Sequence, residues 1–231
     1  MPIADNLREV QARVTRAALA CGRDPQTITV LAASKTFDHL AVLEAAQTGQ
    51  RDFGENYLQE ALDKQKAVAH PELIWHFIGP IQSNKTRGIA ENFTWVHSLD
   101  RLKIAERLSA QRPSTAAPLN ICIEVNVSGE ASKSGVLPDA LASFADEVAA
   151  LPQLQLRGLM AIPAPTPEIA QQRAAFRQVR ELFDGLNQRG HHLDTLSMGM
   201  SADLEAAIAE GATLVRIGTA IFGLRNNFVA H

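Results

Sequence analysis

The chain has 231 residues, of which 46% are hydrophobic and 20% are charged, and 22 basic residues against 25 acidic ones give a formal charge of −3. This balance excludes the simplest electrostatic case for binding nucleic acid or anionic lipid, and no apolar run approaches the ~18 residues of a membrane-spanning helix. Two cysteines, Cys21 and Cys122, are too few for a disulfide framework or a cysteine-built zinc site. The polar, periodic first residues are not typical of a signal peptide, so we expect a cytoplasmic protein.

The chain opens with a helical pattern and continues with short apolar runs. Leu7, Val10 and Val14 follow helical spacing and predict an opening helix. The clearer apolar runs carry β-branched or aromatic residues and are bounded by Gly, Pro, Asn or Ser, as buried strands are. Eight strands are predicted from TVLAAS (29–34), RDFG (51–54), LIWHFIG (73–79), TWVHSL (94–99), NICIEVNV (120–127), LRGLMAI (156–162), TLSMG (195–199) and LVRIG (214–218).

Helical patterns separate the later runs. Their apolar stripes are Leu137, Leu141, Phe144, Val148 and Leu151, then Phe176, Val179, Phe183 and Leu186, then Leu204 and Ile208. Alternation of strands and helices implies a parallel sheet with crossover helices. Eight strands in a chain of this length predict a single (β/α)8 TIM-type barrel with an extra N-terminal helix, forming one domain over residues 1–231. An open sheet covered by helices on both faces is the alternative.

Polar residues collect at the ends of the predicted strands, where a barrel of this kind forms its active site. Lys35 follows the first run, Asn56 follows the second, and His76 lies within the third. Arg216 lies inside the eighth run and needs an acceptor or an anionic partner, because burying an unpaired guanidinium is costly. Taken alone, a lysine after a strand is more often a solvated turn residue, and a histidine in an apolar run is more often a hydrogen-bonded core residue.

The loops after the seventh and eighth runs fit an anion site. SMGMSADLEAAI supplies Ser197 and Ser201, the latter as the expected helix N-cap, and IGTAIFG supplies Gly218 and Thr219. Backbone N–H groups and hydroxyls there would cradle a phosphate, although ordinary capping and turn chemistry explains the same residues. A lysine that faces such a cradle suggests pyridoxal 5′-phosphate (PLP), which carries both an aldehyde and a phosphate and would be held on Lys35 as a Schiff base.

Seven segments resemble the pyridoxal phosphate homeostasis protein family, in order from about residue 28 to residue 224. They are LAASKT (31–36), FGENYLQE (53–60), WHFIGPIQSNK (75–85), VNVSGEASKSG (125–135), GLMAI (158–162), LSMGMSADLEAAI (196–208) and VRIGTAIFG (215–223). The resemblance implies a barrel similar to the N-terminal domain of bacterial alanine racemase. It also implies a set of cofactor-binding residues: Lys35 as the aldimine lysine, Asn56, His76, Ser197, Ser201, Arg216 at the pyridine nitrogen, Gly218 and Thr219. The family is described as regulating PLP and amino-acid metabolism without an established enzyme activity. The tail after Gly223 departs from the family pattern, and no role is assigned to it.

A PLP carrier or regulator is favoured over an enzyme, and no catalytic residue is assigned. An amino-acid racemase needs an acid or base on each face of the substrate's α-carbon. Lys35 could serve one face, but the tyrosine that serves the other in the alanine racemase family comes from a C-terminal domain for which this chain has no residues left. The only tyrosine, Tyr57, follows the second predicted strand. A racemase of low activity is the alternative. A scaffold with a vestigial barrel is disfavoured by Arg216 and the polar strand ends.

The expected partners follow from the carrier function. PLP would be released to an acceptor amine, either the lysine of an apoenzyme or a free amino acid. Lys85 and Lys133 lie after the third and fifth strands and could hold a second phosphate transiently, although solvated loop lysines are the simpler interpretation. No exposed apolar stripe predicts a dimer, so we expect a monomer that binds neither nucleic acid nor membrane.

Overall fold

The computed structural model describes residues 2–130 and 133–223, and in that part eight parallel strands close into a barrel. The strands are β1 (Thr29–Ala33), β2 (Asp52–Glu55), β3 (Ile74–Phe77), β4 (Trp95–Leu99), β5 (Leu119–Glu124), β6 (Leu154–Met160), β7 (Thr195–Ser197) and β8 (Leu214–Ile217). Each strand pairs with the next in the chain, and β8 pairs with β1. The predicted TIM-type barrel is confirmed, and the alternative of an open sheet is wrong because β8 closes onto β1.

Helices alternate with the strands and cover the outside of the barrel. They are α1 (Ile3–Ala20), α2 (His39–Gln47), α3 (Leu58–Val68), α4 (Thr86–Asn92), α5 (Leu102–Gln111), α6 (Pro138–Ala149), α7 (Ile169–Gln188), α8 (Leu204–Ala209) and α9 (Thr219–Phe222). Two 3-10 helices cover Pro25–Thr27 and Ser83–Lys85. The predicted N-terminal helix is α1, whereas α2 to α5 were not predicted individually. The helix α3 shows why, since it buries only Ala61 and Lys64 and its sequence has no apolar stripe.

The predicted stripe near Pro138 belongs to α6 but extends past both of its ends. Pro138 is the first helical residue, where its missing N–H costs nothing and its fixed φ suits the helix. Leu137 precedes the helix and is exposed, and Leu151 follows it. Inside the helix, Leu141 and Val148 are buried against the barrel as predicted.

The opening helix α1 braces the loops at the carboxyl ends of β7 and β8. The side-chain amide of Asn6 donates to the backbone oxygen of Ile221 in α9 at 2.8 Å. Arg13 pairs with Glu205 of α8 at 2.8 Å and also donates to the backbone oxygen of Ser201. These contacts fix two loops that the sequence predicts to form the anion site.

No helix in the described part of the chain is both long enough and apolar enough to cross a bilayer. Within residues 2–130 and 133–223, His, Cys, Asp and Glu side chains form no group arranged to hold a metal ion. The tail at 224–231, to which the sequence assigns no role, lies outside the described residues.

Candidate cofactor site

The carboxyl ends of β1 and β8 bring Lys35 close to Gly218 and Thr219. Because the two strands are parallel neighbours, the chain leaves both of them at the same rim of the barrel. A Cβ atom built on Gly218 would lie 3.3 Å from the backbone oxygen of Ala33, two residues before Lys35. The helix α9 begins at Thr219, and the first turn of any helix has N–H groups without partners inside the helix. The three predicted residues therefore follow neighbouring strands at the same rim.

Asn56 follows β2 at the same rim. Because β1 and β2 pair with Ala33 opposite Gly54, Lys35 and Asn56, each two positions further along the chain and past the end of its strand, leave the sheet at the same rim. The side-chain oxygen of Asn56 is buried, and no donor among residues 2–130 and 133–223 reaches it. Buried polar atoms almost always have partners, so an unpartnered oxygen at this position fits a ligand with a hydrogen-bond donor.

Gly79 allows Asn56 to take this position. A Cβ atom on Gly79 would overlap the backbone oxygen of Asn56. The end of β3 therefore packs directly on the backbone of Asn56, and only glycine leaves space for that contact.

The guanidinium of Arg216 is buried inside the barrel below this rim. Its Nη1 atom donates to the backbone oxygen of Ser197 at 2.6 Å and to the hydroxyl oxygen at 2.8 Å, and Nη2 donates to the backbone oxygen of Ala161 at 3.0 Å. Burial lowers the pKa of Arg216 to about 10, so the group stays charged at neutral pH. The acceptors expected for a guanidinium inside a strand are present.

A chain of hydrogen bonds crosses the barrel interior from Arg216 to Asp52. The hydroxyl of Ser197 lies 2.8 Å from Nδ1 of His97, whose Nε2 lies 2.9 Å from Nδ1 of His76, whose Nε2 lies 3.0 Å from Asp52. Burial lowers the pKa of His76 and, more strongly, that of His97, so both rings are neutral.

The donors along this chain of hydrogen bonds can be assigned from its anionic end. The carboxylate of Asp52 only accepts, so Nε2 of His76 donates to it. A neutral imidazole that donates from one nitrogen accepts on the other, so His76 accepts from His97, and His97 accepts from the hydroxyl of Ser197. Arg216 only donates, so the oxygen of Ser197 accepts from it. Every bond points the same way, from a buried cation to a carboxylate.

His76 and Ser197, both predicted to contact the cofactor, have their polar atoms engaged in this chain. Both are buried, and the Nε2 atom of His76 points to Asp52, the first residue of β2, which lies at the amino end of the barrel. The structure thus brings Lys35, Asn56, Gly218 and Thr219 to the rim and places His76 and Ser197 in the interior beneath it.

The expected N-cap role of Ser201 is wrong, because α8 begins later. Its N-cap is Asp203, whose carboxylate accepts the backbone N–H of Met200 at 2.6 Å and closes a tight turn before the helix. Ser201 lies within that turn, and its backbone oxygen accepts from Arg13. The residue remains near the predicted anion site, but as part of a loop.

The two additional lysines lie in different surroundings. Lys85 is exposed at the end of a 3-10 helix. Lys133 pairs with Glu130 at 3.0 Å, and the hydrogen bond from Lys133 lowers the pKa of that carboxyl. Asn126 organises the loop, since its side-chain amide donates to the backbone oxygens of Glu130 and Lys133.

Sequence reasoning missed two polar residues inside the barrel. His97 is the centre of the hydrogen-bonded chain, and Glu124 is a largely buried carboxyl whose pKa burial raises to about 7, with Asp100 adding to the shift and Arg216 opposing it. Both stand in apolar runs, TWVHSL and NICIEVNV. The signal that singled out Arg216, a polar residue inside a buried strand, would have found them.

Comparison with known proteins gives consistent relatives. The chain matches the family described as the alanine racemase N-terminal domain over residues 3–226. It is 64% identical over 224 residues to the pyridoxal phosphate homeostasis protein of Pseudomonas aeruginosa, covering 97% of this chain and 96% of that one. The structure of PipY from Synechococcus elongatus with PLP bound is 36% identical, with a TM-score of 0.84 over 96% of this chain and 100% of that one. Alanine racemase from Corynebacterium glutamicum has a TM-score of 0.70 at 17% identity over 100% of this chain and 63% of its own, a likeness that shows the fold alone.

Proposed function

The chain belongs to the alanine racemase N-terminal domain family and, within it, to the pyridoxal phosphate homeostasis proteins, and we propose that it binds PLP and acts in PLP homeostasis. One observation in the structure carries this proposal. The side-chain oxygen of Asn56 is buried and has no partner among the described residues, and Asn56 follows β2 at the rim where Lys35, Gly218 and Thr219 follow neighbouring strands. This arrangement supports a site in which an amine, a polar anchor and an anion-binding loop act on one ligand. PipY, whose structure holds PLP, supports the same assignment.

Four residues at the rim would hold the cofactor. The amine of Lys35 would bond covalently to the aldehyde carbon and release water. Backbone N–H groups at Gly218 and Thr219 would donate to the phosphate, and Asn56 would accept a hydrogen bond at its buried oxygen. When bound, PLP supplies a reactive carbonyl that amines can exchange.

Arg216 would lie next to the pyridine nitrogen and keep a proton off it. A guanidinium only donates, so it forms a hydrogen bond with an unprotonated nitrogen, and its positive charge opposes a second cation there. Enzymes that need a strong electron sink instead place a carboxylate at that nitrogen. The arginine thus favours holding and handing over the cofactor above chemistry that requires a protonated ring.

Release would occur by transfer to another amine. Lys35 is only partly buried, which leaves the rim open to an incoming group. We propose that the acceptors are lysines of apoenzymes or free amino acids, and that the protein acts as a cytoplasmic monomer.

Racemisation of amino acids is the competing function. Tyr57 favours it, since the residue is 57% exposed and follows Asn56 directly in the chain, where it could serve as a second acid or base. Sustained racemisation at ordinary enzyme rates, roughly 1–10³ per second, that is lost in Tyr57→Phe would establish an enzyme.

Binding is tested by titrating PLP and following the visible absorbance of the lysine-bound cofactor. Lys35→Ala should lose this absorbance and the label that borohydride fixes, whereas Lys103→Ala, an exposed lysine on α5, should keep both. An unchanged spectrum in Lys35→Ala would refute the covalent site.

The carrier role is tested by transfer. The PLP-loaded protein should activate a PLP-dependent apoenzyme even when a scavenger of free PLP is present. Free PLP added in the same amount should fail to activate the apoenzyme under that condition. If the scavenger abolishes activation by the loaded protein as fully as it abolishes activation by free PLP, the protein only stores the cofactor.

A further inference from the structure

An ionic cluster on the outer side of β1 and β2, buried except for the 32% exposed side chain of Glu60, contacts both residues that flank Lys35. It consists of Glu55, Glu60 and Lys64, here called the Lys64 cluster, with Nζ of Lys64 at 2.9 Å from Glu55 and at 2.6 Å from Glu60. Lys64 is 5% exposed and Glu55 is fully buried. Such a cluster is weak evidence for stability, because removing two charges from water costs about as much as their attraction returns.

The contacts of the cluster point to a different use. Lys64 donates to the backbone oxygen of Ser34 at 2.8 Å, and the hydroxyl of Ser34 donates to Glu55 at 2.6 Å. On the other side of Lys35, the backbone N–H of Thr36 donates to Glu60 at 2.7 Å. Ser34, before Lys35, is thus held by Lys64 and Glu55, and Thr36, after it, is held by Glu60.

Thr36 needs this restraint, because its backbone is left-handed. Its φ is +70°, which a β-branched residue adopts only at a cost. Without an acceptor for its N–H, the turn would relax to a more favourable conformation and move Lys35. Glu60 supplies that acceptor and is itself held by Lys64.

We propose that the Lys64 cluster, acting through the hydrogen bond from Thr36 to Glu60, positions the Lys35 turn for reaction with the aldehyde of PLP. This inference rests on the proposed function of Lys35. The three side chains lie among β1, β2 and α3, so they are positioning residues that act through the backbone of the turn.

The test separates the turn from the rest of the cofactor site by using two ligands. PLP engages Lys35, whereas pyridoxine 5′-phosphate has the same ring and phosphate but an alcohol in place of the aldehyde and so cannot bond to the amine. Glu60→Ala removes the acceptor of Thr36 while the pair of Lys64 and Glu55 remains. It should weaken PLP binding about ten-fold or more, as expected for loss of a charged hydrogen bond, and should change binding of pyridoxine 5′-phosphate less than two-fold.

Two rescue variants show whether geometry is the cause. Glu60→Gln keeps a side-chain oxygen for the N–H of Thr36 and should bind PLP nearly as the unsubstituted protein does. Adding Thr36→Gly to Glu60→Ala should recover part of the lost affinity, because glycine adopts a positive φ without strain. If Glu60 acted through its charge alone, both variants would bind PLP as weakly as Glu60→Ala does.

Several results would overturn the proposal. They are PLP affinity within two-fold of the unsubstituted protein in Glu60→Ala, equal weakening of both ligands, or no recovery in either rescue variant. If Glu60→Ala does not fold, amide hydrogen exchange of the unsubstituted protein tests the same hydrogen bond. The amide hydrogen of Thr36 should exchange slowly with solvent, and fast exchange would contradict the inference. Lys35→Ala distinguishes the two proposals, since normal PLP binding in that variant refutes the covalent role of Lys35 on which this inference rests.

Discussion

The hydroxyl of Ser197 lies 2.8 Å from the guanidinium of Arg216, and in that contact the serine can only accept. Its proton goes to His97, also 2.8 Å away, because the carboxylate of Asp52 at the far end of the chain of hydrogen bonds only accepts. Since His76 donates to Asp52 and His97 donates to His76 at 2.9 Å, one carboxylate sets the tautomers of two buried rings. Arg216 is thus connected to Asp52, at the other end of the barrel, by bonds that all point the same way.

Removal of this hydroxyl should destabilise the protein through His97. Ser197→Ala leaves Arg216 its backbone acceptors on Ser197 and Ala161 but deprives Nδ1 of His97 of its donor. A buried polar atom without a partner costs about 1–3 kcal/mol, and urea unfolding should show a loss in that range. The same substitution in a His97→Phe background should cost much less, since the atom that lost its partner is then absent. If Ser197→Ala lowers the free energy of unfolding equally in the two backgrounds, the hydrogen bond from Ser197 to His97 is contradicted.

Stability should fall as the pH is lowered, and His97 should contribute to the fall. Burial holds the pKa of His97 well below its usual value in the folded protein, whereas the unfolded chain takes up the proton near pH 6.5. Below that pH the unfolded state binds more protons, so stability decreases by up to ~1.4 kcal/mol per pH unit for such a group. Urea unfolding between pH 7 and pH 5 should give a shallower slope for His97→Gln.

Glu124 acts with the opposite sign in the same range. Its folded pKa is raised to about 7 from a usual 4.5, so between these values the folded state holds the extra proton and stability decreases as the pH rises. The net slope of the unsubstituted protein is therefore a difference. Glu124→Gln should steepen the loss of stability on acidification, and His97→Gln should reduce it. The same direction of change in both variants would contradict these assignments.

Asn56 should strengthen PLP binding without stabilising the PLP-free protein. Because its buried oxygen has no partner in the described structure, Asn56→Ala should leave the PLP-free protein as stable as before, or more stable by up to about 1–3 kcal/mol. PLP affinity should fall about ten-fold, which corresponds to ~1.4 kcal/mol. Asn92→Ala, at an exposed position on α4, should change neither quantity. A destabilised protein with normal affinity would make Asn56 a purely structural residue.

Two glycines near the site should respond differently to alanine. At Gly79 the added Cβ overlaps the backbone oxygen of Asn56, and rigid backbone cannot move aside, so a loss at the upper end of about 1–3 kcal/mol, or beyond it, is expected. At Gly218 the added atom lies 3.3 Å from the backbone oxygen of Ala33, and a shift of a few tenths of an ångström accommodates it. Thermal unfolding of the two variants should show a large decrease for Gly79→Ala and a small one for Gly218→Ala.

The sequence alone predicted the barrel and the polar residues that follow its strands. Eight apolar runs with helical stretches between them require parallel strands and crossovers, and closure of the barrel then places Lys35, at the end of the first strand, beside Gly218, at the end of the last. These conclusions depend on period and order along the chain, which a sequence records directly.

Only the tertiary structure decided which partner each buried polar group has. His76 points to Asp52 at the amino end, and Ser197 bonds to His97, one hundred residues away. The contact between Ser197 and His97 crosses the interior between β7 and β4, which are not consecutive in the chain, and both contacts depend on strand register and barrel closure. A local pattern shows that a polar residue is buried, but the barrel's geometry decides which atom it meets.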